Sequence, residues 1–415
     1  MNRKPVWKSI GPGLLWAAAA IGVSHLVQST RAGAVYGYSL IWAILLANLF
    51  KYPFFEYGPR YASATGESLL EGYRRLGKGP IALYAVVSIG TTFSIMAAVT
   101  IVTASIATQL FSPALSPLQY TVLIMVFSAA LLFFGKFPAL DTLVKAIIVV
   151  LTVSSLAAVT IALRHPARPE TNFIAPHVWT MAGVSFLVAL IGWMPSAIDI
   201  SVWHSLWTLE RAKQTSHQPT VREALIDFNI GYFGTAIIAL FFLLLGTLVM
   251  YGTGETFSSS GAGFAAQLIG LYTRTLGEWS RPIILIAAFT TMFSTTLTCA
   301  DAFPRVLRRL THIILPKRFS GEEQNGLYWI WMAIVMAGAL LLLTVLKGGL
   351  TFMVDVATTL SFLTAPILGY LNLRVVTSGS MPPEARPGRA MIVLSWLGIV
   401  FGTTLGVVYI VWRIL

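Results

Sequence analysis

The chain has 415 residues, of which 56% are hydrophobic and only 11% are charged, and its formal net charge is +12. This composition excludes a soluble globular enzyme and indicates an integral membrane protein. The single cysteine, Cys299, excludes internal disulfides and cysteine-rich metal sites. We find no nucleophile–base pair, phosphate loop or metal-hydrolase motif, so the sequence indicates neither an enzyme nor a bound cofactor.

Apolar runs of about 20 residues predict about eleven membrane helices. In chain order they lie near 10–31, 37–58, 80–111, 118–134, 142–163, 179–206, 224–251, 281–302, 327–346, 350–373 and 391–413. The polar stretch 252–280 is predicted to be an external loop. Lys and Arg cluster at the N-terminus (Arg3, Lys4, Lys8) and in alternate connections, for example around Arg74 and Arg308. This excess predicts a cytoplasmic N-terminus, in a bacterial inner membrane, rather than nucleic-acid binding.

Two of the apolar runs are interrupted in mid-course. The first breaks at residues 22–25 (Gly-Val-Ser-His), and the second breaks at 194–197 (Met-Pro-Ser-Ala). Interrupted helices leave backbone groups unpaired at membrane depth, which is tolerated where those groups line a site. Two such breaks in corresponding places of two halves are typical of a secondary transporter with inverted repeats.

The same stretches contain further motifs. They are Gly11-Pro12, Ala32-Gly33-Ala34, Gly37-Tyr38, Leu40 and Trp42 in the first broken helix, Met194-Pro195 in the sixth helix, and 60–74 (RYASATGESLLEGYR) after the second helix. In these residues the chain resembles a known family, the Nramp metal transporters. At the site the chain departs from the family. Gly22, Val23, Ser24 and His25 replace its Asp-Pro-Gly-Asn, and Ser196 replaces the His after Met-Pro.

The resemblance covers most of the chain. With the hydropathy pattern, it predicts an all-α integral membrane protein of LeuT-like fold, with a 5+5 inverted repeat and broken helices 1 and 6. We expect one transmembrane domain over 1–415, with repeats at about 8–165 and 178–375 and an extra helix at 390–415.

The two breaks supply the candidate substrate site, which comprises Gly22, Ser24, His25, Met194, Ser196 and Ala197. His25 either faces the site or packs among helices, and an ionisable residue at membrane depth favours the site. Met194 is either a ligand or a core filler. The hydroxyls of Ser24 and Ser196 either bind a polar substrate or satisfy the freed backbone. Because Gly22 has no carboxylate, we expect no transition-metal site.

Two further groups are candidates for coupling and gating. Ser294 and Thr295 in helix eight, together with backbone carbonyls near Gly22, resemble the sodium site of sodium-coupled transporters of this fold; otherwise these hydroxyls only pack helices. Asp199 is predicted to cap or gate the second half of helix six, or to replace the lost carboxylate. His204 follows it as a possible gate residue.

Three functions compete at this stage. The favoured one is uptake of a small anion such as bicarbonate, coupled to sodium, because half-helix ends attract anions once the acid is gone. The alternative is transport of a divalent metal ion, manganese or magnesium, which is either coupled to protons or uncoupled. A non-transporting sensor or scaffold is the third. The expected partners are the small inorganic ion, co-transported sodium or protons, and the lipid bilayer, and the sequence is compatible with a monomer.

Overall fold

The computed structural model describes residues 9–134, 137–315, 323–346 and 349–414, and these ranges form an all-helical bundle. Its α-helices are α1 (Pro12–Ala20), α2 (Thr30–Tyr36), α3 (Ile41–Thr65), α4 (Leu69–Leu76), α5 (Lys78–Leu110), α6 (Pro117–Phe133), α7 (Phe137–Arg164), α8 (Met181–Trp193), α9 (Ile200–Thr215), α10 (Val221–Met250), α11 (Gly261–Leu276), α12 (Arg281–Ile314), α13 (Glu323–Val345), α14 (Gly349–Val376) and α15 (Arg389–Ile414). Arg3, Lys4 and Lys8 lie outside the described residues, so the side on which the N-terminus lies stays a prediction.

Both predicted helix breaks are present. Helix α1 ends at Ala20, and a π-helical turn, Ser24–Ser29, leads into α2. Helix α8 ends at Trp193, Met194 has extended backbone angles (φ −91°, ψ 118°), and α9 begins only at Ile200. The broken helices 1 and 6 of the LeuT-like fold are therefore confirmed, and the repeat boundaries 8–165 and 178–375 stay predictions.

Seven helical segments in the described part of the chain are long and apolar enough to cross a membrane. One of them runs from Ser24 to Thr65 and joins the second half of the first broken helix to α3. The half-helices and α6 are shorter than a full span. The total of eleven spans stays a prediction.

Helix α10 crosses the first broken helix at very short range. A Cβ atom on Gly33 would lie 1.9 Å from the Leu243 carbonyl oxygen, and one on Gly246 would lie 2.3 Å from that of Thr30. Small residues let helix backbones approach closely where lipid provides no hydrophobic drive for association. The two glycines thus allow the first broken helix to pack closely against α10.

The prediction that 252–280 is a loop throughout is wrong, because residues 261–276 form helix α11. Phe264, Leu268 and Tyr272 recur every four residues and are buried. That spacing forms one apolar face, which packs on α5 and α7. The Gly and Ser residues before it mark the turn, and Ser260 caps the helix, because its hydroxyl oxygen accepts a hydrogen bond from the Gly263 amide.

Candidate ion-binding site

A small buried cavity of about 30 Å³ lies where the two breaks meet. Its polar lining comes from both broken helices and from α12: Ser24, Ser196, Asp199 and Thr295, with Ala197 beside them. This volume is enough for a small ion or for one or two water molecules. Of the predicted site residues, Ser24, Ser196 and Ala197 are therefore brought together, whereas Gly22, His25 and Met194 are not among the described residues that line the cavity.

His25 lies behind Ser24 rather than in the cavity wall. Its Nε2 is 3.0 Å from the Thr235 carbonyl oxygen on α10, and its Nδ1 is 2.7 Å from the Ser24 hydroxyl oxygen. Because a carbonyl only accepts, Nε2 donates to Thr235, and in the neutral ring Nδ1 accepts from Ser24. His25 is fully buried and is not among the described residues that line the cavity, so it acts on the cavity through Ser24.

Gly22 leaves space for the Thr295 side chain. A Cβ atom on Gly22 would lie 2.9 Å from Thr295 Oγ1 and 3.0 Å from its Cγ2. The Thr295 hydroxyl is also 3.2 Å from the Ala18 carbonyl oxygen and 3.3 Å from that of Ile21. The Gly22 carbonyl accepts from the backbone amides of His25 and Leu26. The carbonyls beside Thr295 are thus those of Ala18 and Ile21.

Two predicted site residues pack elsewhere. Met194 is fully buried in an apolar cluster that includes Ile44 and Phe362, which is the core-filler alternative. The ring of His204 lies against Phe228, with centroids 5.7 Å apart, and neither of its nitrogens has a hydrogen-bond partner among the described residues. A gating role for His204 stays a prediction.

Asp199 lies on the cavity wall, immediately before α9. Although it occupies the position before the first helical residue, its side chain makes no capping hydrogen bond within the described part of the chain. The predicted capping role is therefore wrong. Instead, Thr91 on α5 donates to Asp199 Oδ2 at 3.3 Å, and Oδ1 has no hydrogen-bond partner among the described residues. One carboxylate oxygen of this cavity-lining residue thus has no partner in the described part of the chain, and a gating role stays a prediction.

Sequence reasoning missed Lys51, a buried lysine in the middle of α3. Its Nζ donates to the carbonyl oxygens of Ile191 (2.6 Å), Gly192 (2.8 Å) and Ser196 (3.3 Å). These carbonyls belong to the end of α8 and to the break that follows it. The signal was present, because an ionisable residue inside an apolar membrane run indicates function by default.

A second cluster that the sequence did not predict lies at the start of α2, just after the first break. Arg31 Nη1 lies 2.7 Å from Asp355 Oδ1, and Gln28 Nε2 donates to the same oxygen at 3.0 Å. Arg31 also lies over the Phe186 ring, 5.1 Å from its centroid. The cluster joins α2 to α14 on the side of the cavity away from the N-terminus.

At the opposite end, a vestibule of about 1190 Å³ is lined by the start of α1, the C-terminal part of α9 and the basic end of α12. Two broken helices thus meet at a small buried cavity, which has an ion pair on one side and a vestibule on the other. This arrangement is typical of a secondary transporter.

The comparisons with known proteins agree with this class. A family model described as natural resistance-associated macrophage protein-like matches residues 13–412, so the chain belongs to the Nramp family and is a membrane transporter, not an enzyme. The predicted resemblance is confirmed.

Three similar proteins illustrate the family. An uncharacterised protein of Pasteurella multocida is 36% identical over 98% of this chain and 94% of its own length. The divalent metal cation transporter MntH of Granulibacter bethesdensis is 22% identical, over 75% of this chain and 70% of its own. A manganese transporter structure from Eremococcus coleocola, a mutant, covers 98% of this chain and 88% of its own at 15% identity, with a TM-score of 0.74. At that identity the last similarity shows the fold alone.

Proposed function

We propose that this chain is a secondary active transporter that takes up a small oxyanion, with bicarbonate as the best candidate, and is driven by sodium. It would act in a bacterial inner membrane with its N-terminus in the cytoplasm. The observation that carries the proposal is Gly22. Gly22 occupies the position of the family's motif aspartate and has only a hydrogen atom as its side chain. Thr295 fills the space into which a larger side chain would extend.

The remaining chemistry of the site suits an oxyanion better than a divalent cation. Divalent cations bind where several carboxylate, imidazole or thiolate ligands converge. The described residues contain no group of three or more His, Cys, Asp or Glu side chains that could hold a metal ion. The cavity instead presents the hydroxyl of Ser196, beside the N-terminal end of α9, whose dipole favours negative charge.

A divalent metal ion, manganese or magnesium, is the second candidate. Relatives named as divalent metal cation transporters favour it, and on that ground it has more support than the anion. Asp199 also favours it, because this residue lines the cavity and its Oδ1, a hard ligand atom, has no hydrogen-bond partner among the residues that the structure describes. The two candidates therefore need a direct test.

We expect protein reconstituted in liposomes to accumulate labelled bicarbonate when an inward sodium gradient is imposed. We expect it to show no saturable manganese uptake. The lack of a carboxylate at Gly22 is the physical reason. The measurement offers each ion separately, with protein-free liposomes as the control. Saturable manganese uptake that cadmium competes, without bicarbonate uptake, would restore the metal candidate.

His25→Ala is expected to reduce bicarbonate uptake several-fold while the protein stays folded. The ring holds the Ser24 hydroxyl at 2.7 Å, and losing one buried hydrogen-bond partner costs about 1–3 kcal/mol. Because both residues act through one contact, Ser24→Ala should give a similar loss and the double variant little more. Fully additive losses in this double-mutant cycle would show that His25 acts independently of Ser24.

A further inference from the structure

We propose that Lys51 is the specificity-determining residue of the site: a fixed positive charge that makes the cavity select anions over cations. This inference rests on the proposed function and identifies the residue that sets the charge preference. Lys51 does not line the cavity, so it acts as a positioning residue for the break and through its charge.

The contacts of Lys51 match a charged ammonium group. Three carbonyl oxygens surround Nζ within 3.3 Å. An ammonium group has three N–H donors to satisfy them, whereas a neutral amine has only two. Among the described residues, no carboxylate lies within ion-pair distance of Lys51; Glu56, one turn further along α3, is paired with Arg60.

The end of α8 explains how a lysine is tolerated at this depth. The last carbonyls of a helix have no partner within the helix, and they form the negative end of its dipole. Lys51 is only 6% exposed, and it occupies this end by bonding the Ile191 and Gly192 carbonyls. A cation that is part of the protein thus stands where a bound cation could otherwise be held.

The charge lies immediately behind the cavity wall. Lys51 bonds the backbone carbonyl of Ser196, a residue that lines the cavity. In a buried environment a charge acts over several ångströms with little screening by salt. Among the described residues that line the cavity, Asp199 alone carries a charged side chain. Lys51 and Asp199 therefore oppose each other, and the balance between them sets the charge that the cavity accepts.

The test compares Lys51→Gln with Lys51→Arg in proteoliposomes, offered labelled bicarbonate and manganese in separate assays. Gln keeps a donor for the carbonyls but removes the charge, whereas Arg keeps both. Lys51→Gln is expected to lower bicarbonate uptake by about tenfold or more relative to manganese uptake, as the loss of a nearby buried charge implies. Lys51→Arg is expected to retain the preference for bicarbonate.

Lys51→Met keeps the inference testable if Lys51→Gln does not fold. Met keeps an unbranched apolar side chain but removes the charge, so this variant should also move the ratio of bicarbonate to manganese uptake away from the anion. A purely structural role of Lys51 predicts that the uptake of both ions falls together and that their ratio stays the same.

The outcomes separate the two proposals. Unmodified protein that takes up no bicarbonate contradicts the proposed function and this inference with it. Unmodified protein that takes up bicarbonate overturns the inference alone if a folded Lys51→Gln variant keeps the same ion ratio. An unchanged ratio in a folded Lys51→Met variant overturns it equally.

Discussion

Gly22→Asp is expected to abolish bicarbonate uptake, with a loss of about two orders of magnitude from overpacking and like-charge repulsion together. The new Cβ would lie 2.9 Å from Thr295 Oγ1, so the first helix break or α12 must shift. The new carboxylate would also join Asp199 at the cavity and repel an anion. Uptake of labelled bicarbonate into liposomes measures the loss.

Two further variants separate the steric effect from the charge. Gly22→Ala adds the same Cβ without a carboxylate, and it should retain more uptake than Gly22→Asp. Gly22→Asp combined with Thr295→Ala relieves the close contact but keeps the charge, so its bicarbonate uptake should stay low. Gly22→Asp alone should not give full metal transport, because His25 and Ser196 also depart from the family motif. Bicarbonate uptake by Gly22→Asp at the level of the unmodified protein would contradict the proposed site.

The sequence was sufficient to predict the fold because its strongest signals are local. Gly22 and Pro195 interrupt long apolar runs, and such interruptions can be read along the chain without knowing any distant contact. Both breaks occur where they were predicted, and Ser24, Ser196 and Ala197 meet at one cavity. The family resemblance of the same stretches is confirmed.

What the sequence could not provide is the set of contacts between distant segments. Lys51 bonds carbonyls about 140 residues further along the chain, and Arg31 pairs with Asp355 from the second half. Periodicity shows which face of a helix is apolar, but not which neighbour meets a particular side chain. His25 illustrates the point, because its type and depth indicated a site residue, while its actual partner is the Thr235 carbonyl.

Removing the Thr295 hydroxyl is expected to weaken the binding of the sodium ion that drives uptake. Moving an anion inward against a negative-inside potential costs about 2.3 kcal/mol per charge per 100 mV, so accumulation needs a driving ion. The Thr295 hydroxyl lies within 3.3 Å of the Ala18 and Ile21 carbonyl oxygens, at the C-terminal, negative end of α1. These are the oxygen ligands that sodium prefers, and Ser294, the preceding residue of α12, is the further predicted ligand. The bound cation would favour binding of the anion and be favoured by it.

Thr295→Val keeps the shape of the side chain but loses the hydroxyl, and it should raise the sodium concentration for half-maximal uptake by about tenfold, as the loss of one contact to a charged group implies. Ser294→Ala should act in the same direction. Thr290→Val is the matched control, because it makes the same change in the same helix. Among the described residues, the Thr290 hydroxyl bonds the Ile286 carbonyl of its own helix and none of the carbonyls of α1. Uptake is measured in sodium against potassium or choline buffers. If uptake is indifferent to sodium, or if Thr295→Val responds to sodium as Thr290→Val does, these hydroxyls only pack helices. The driving ion would then be the proton. Asp199, which lines the cavity and has one oxygen without a partner in the described part of the chain, would be the group to test as its carrier.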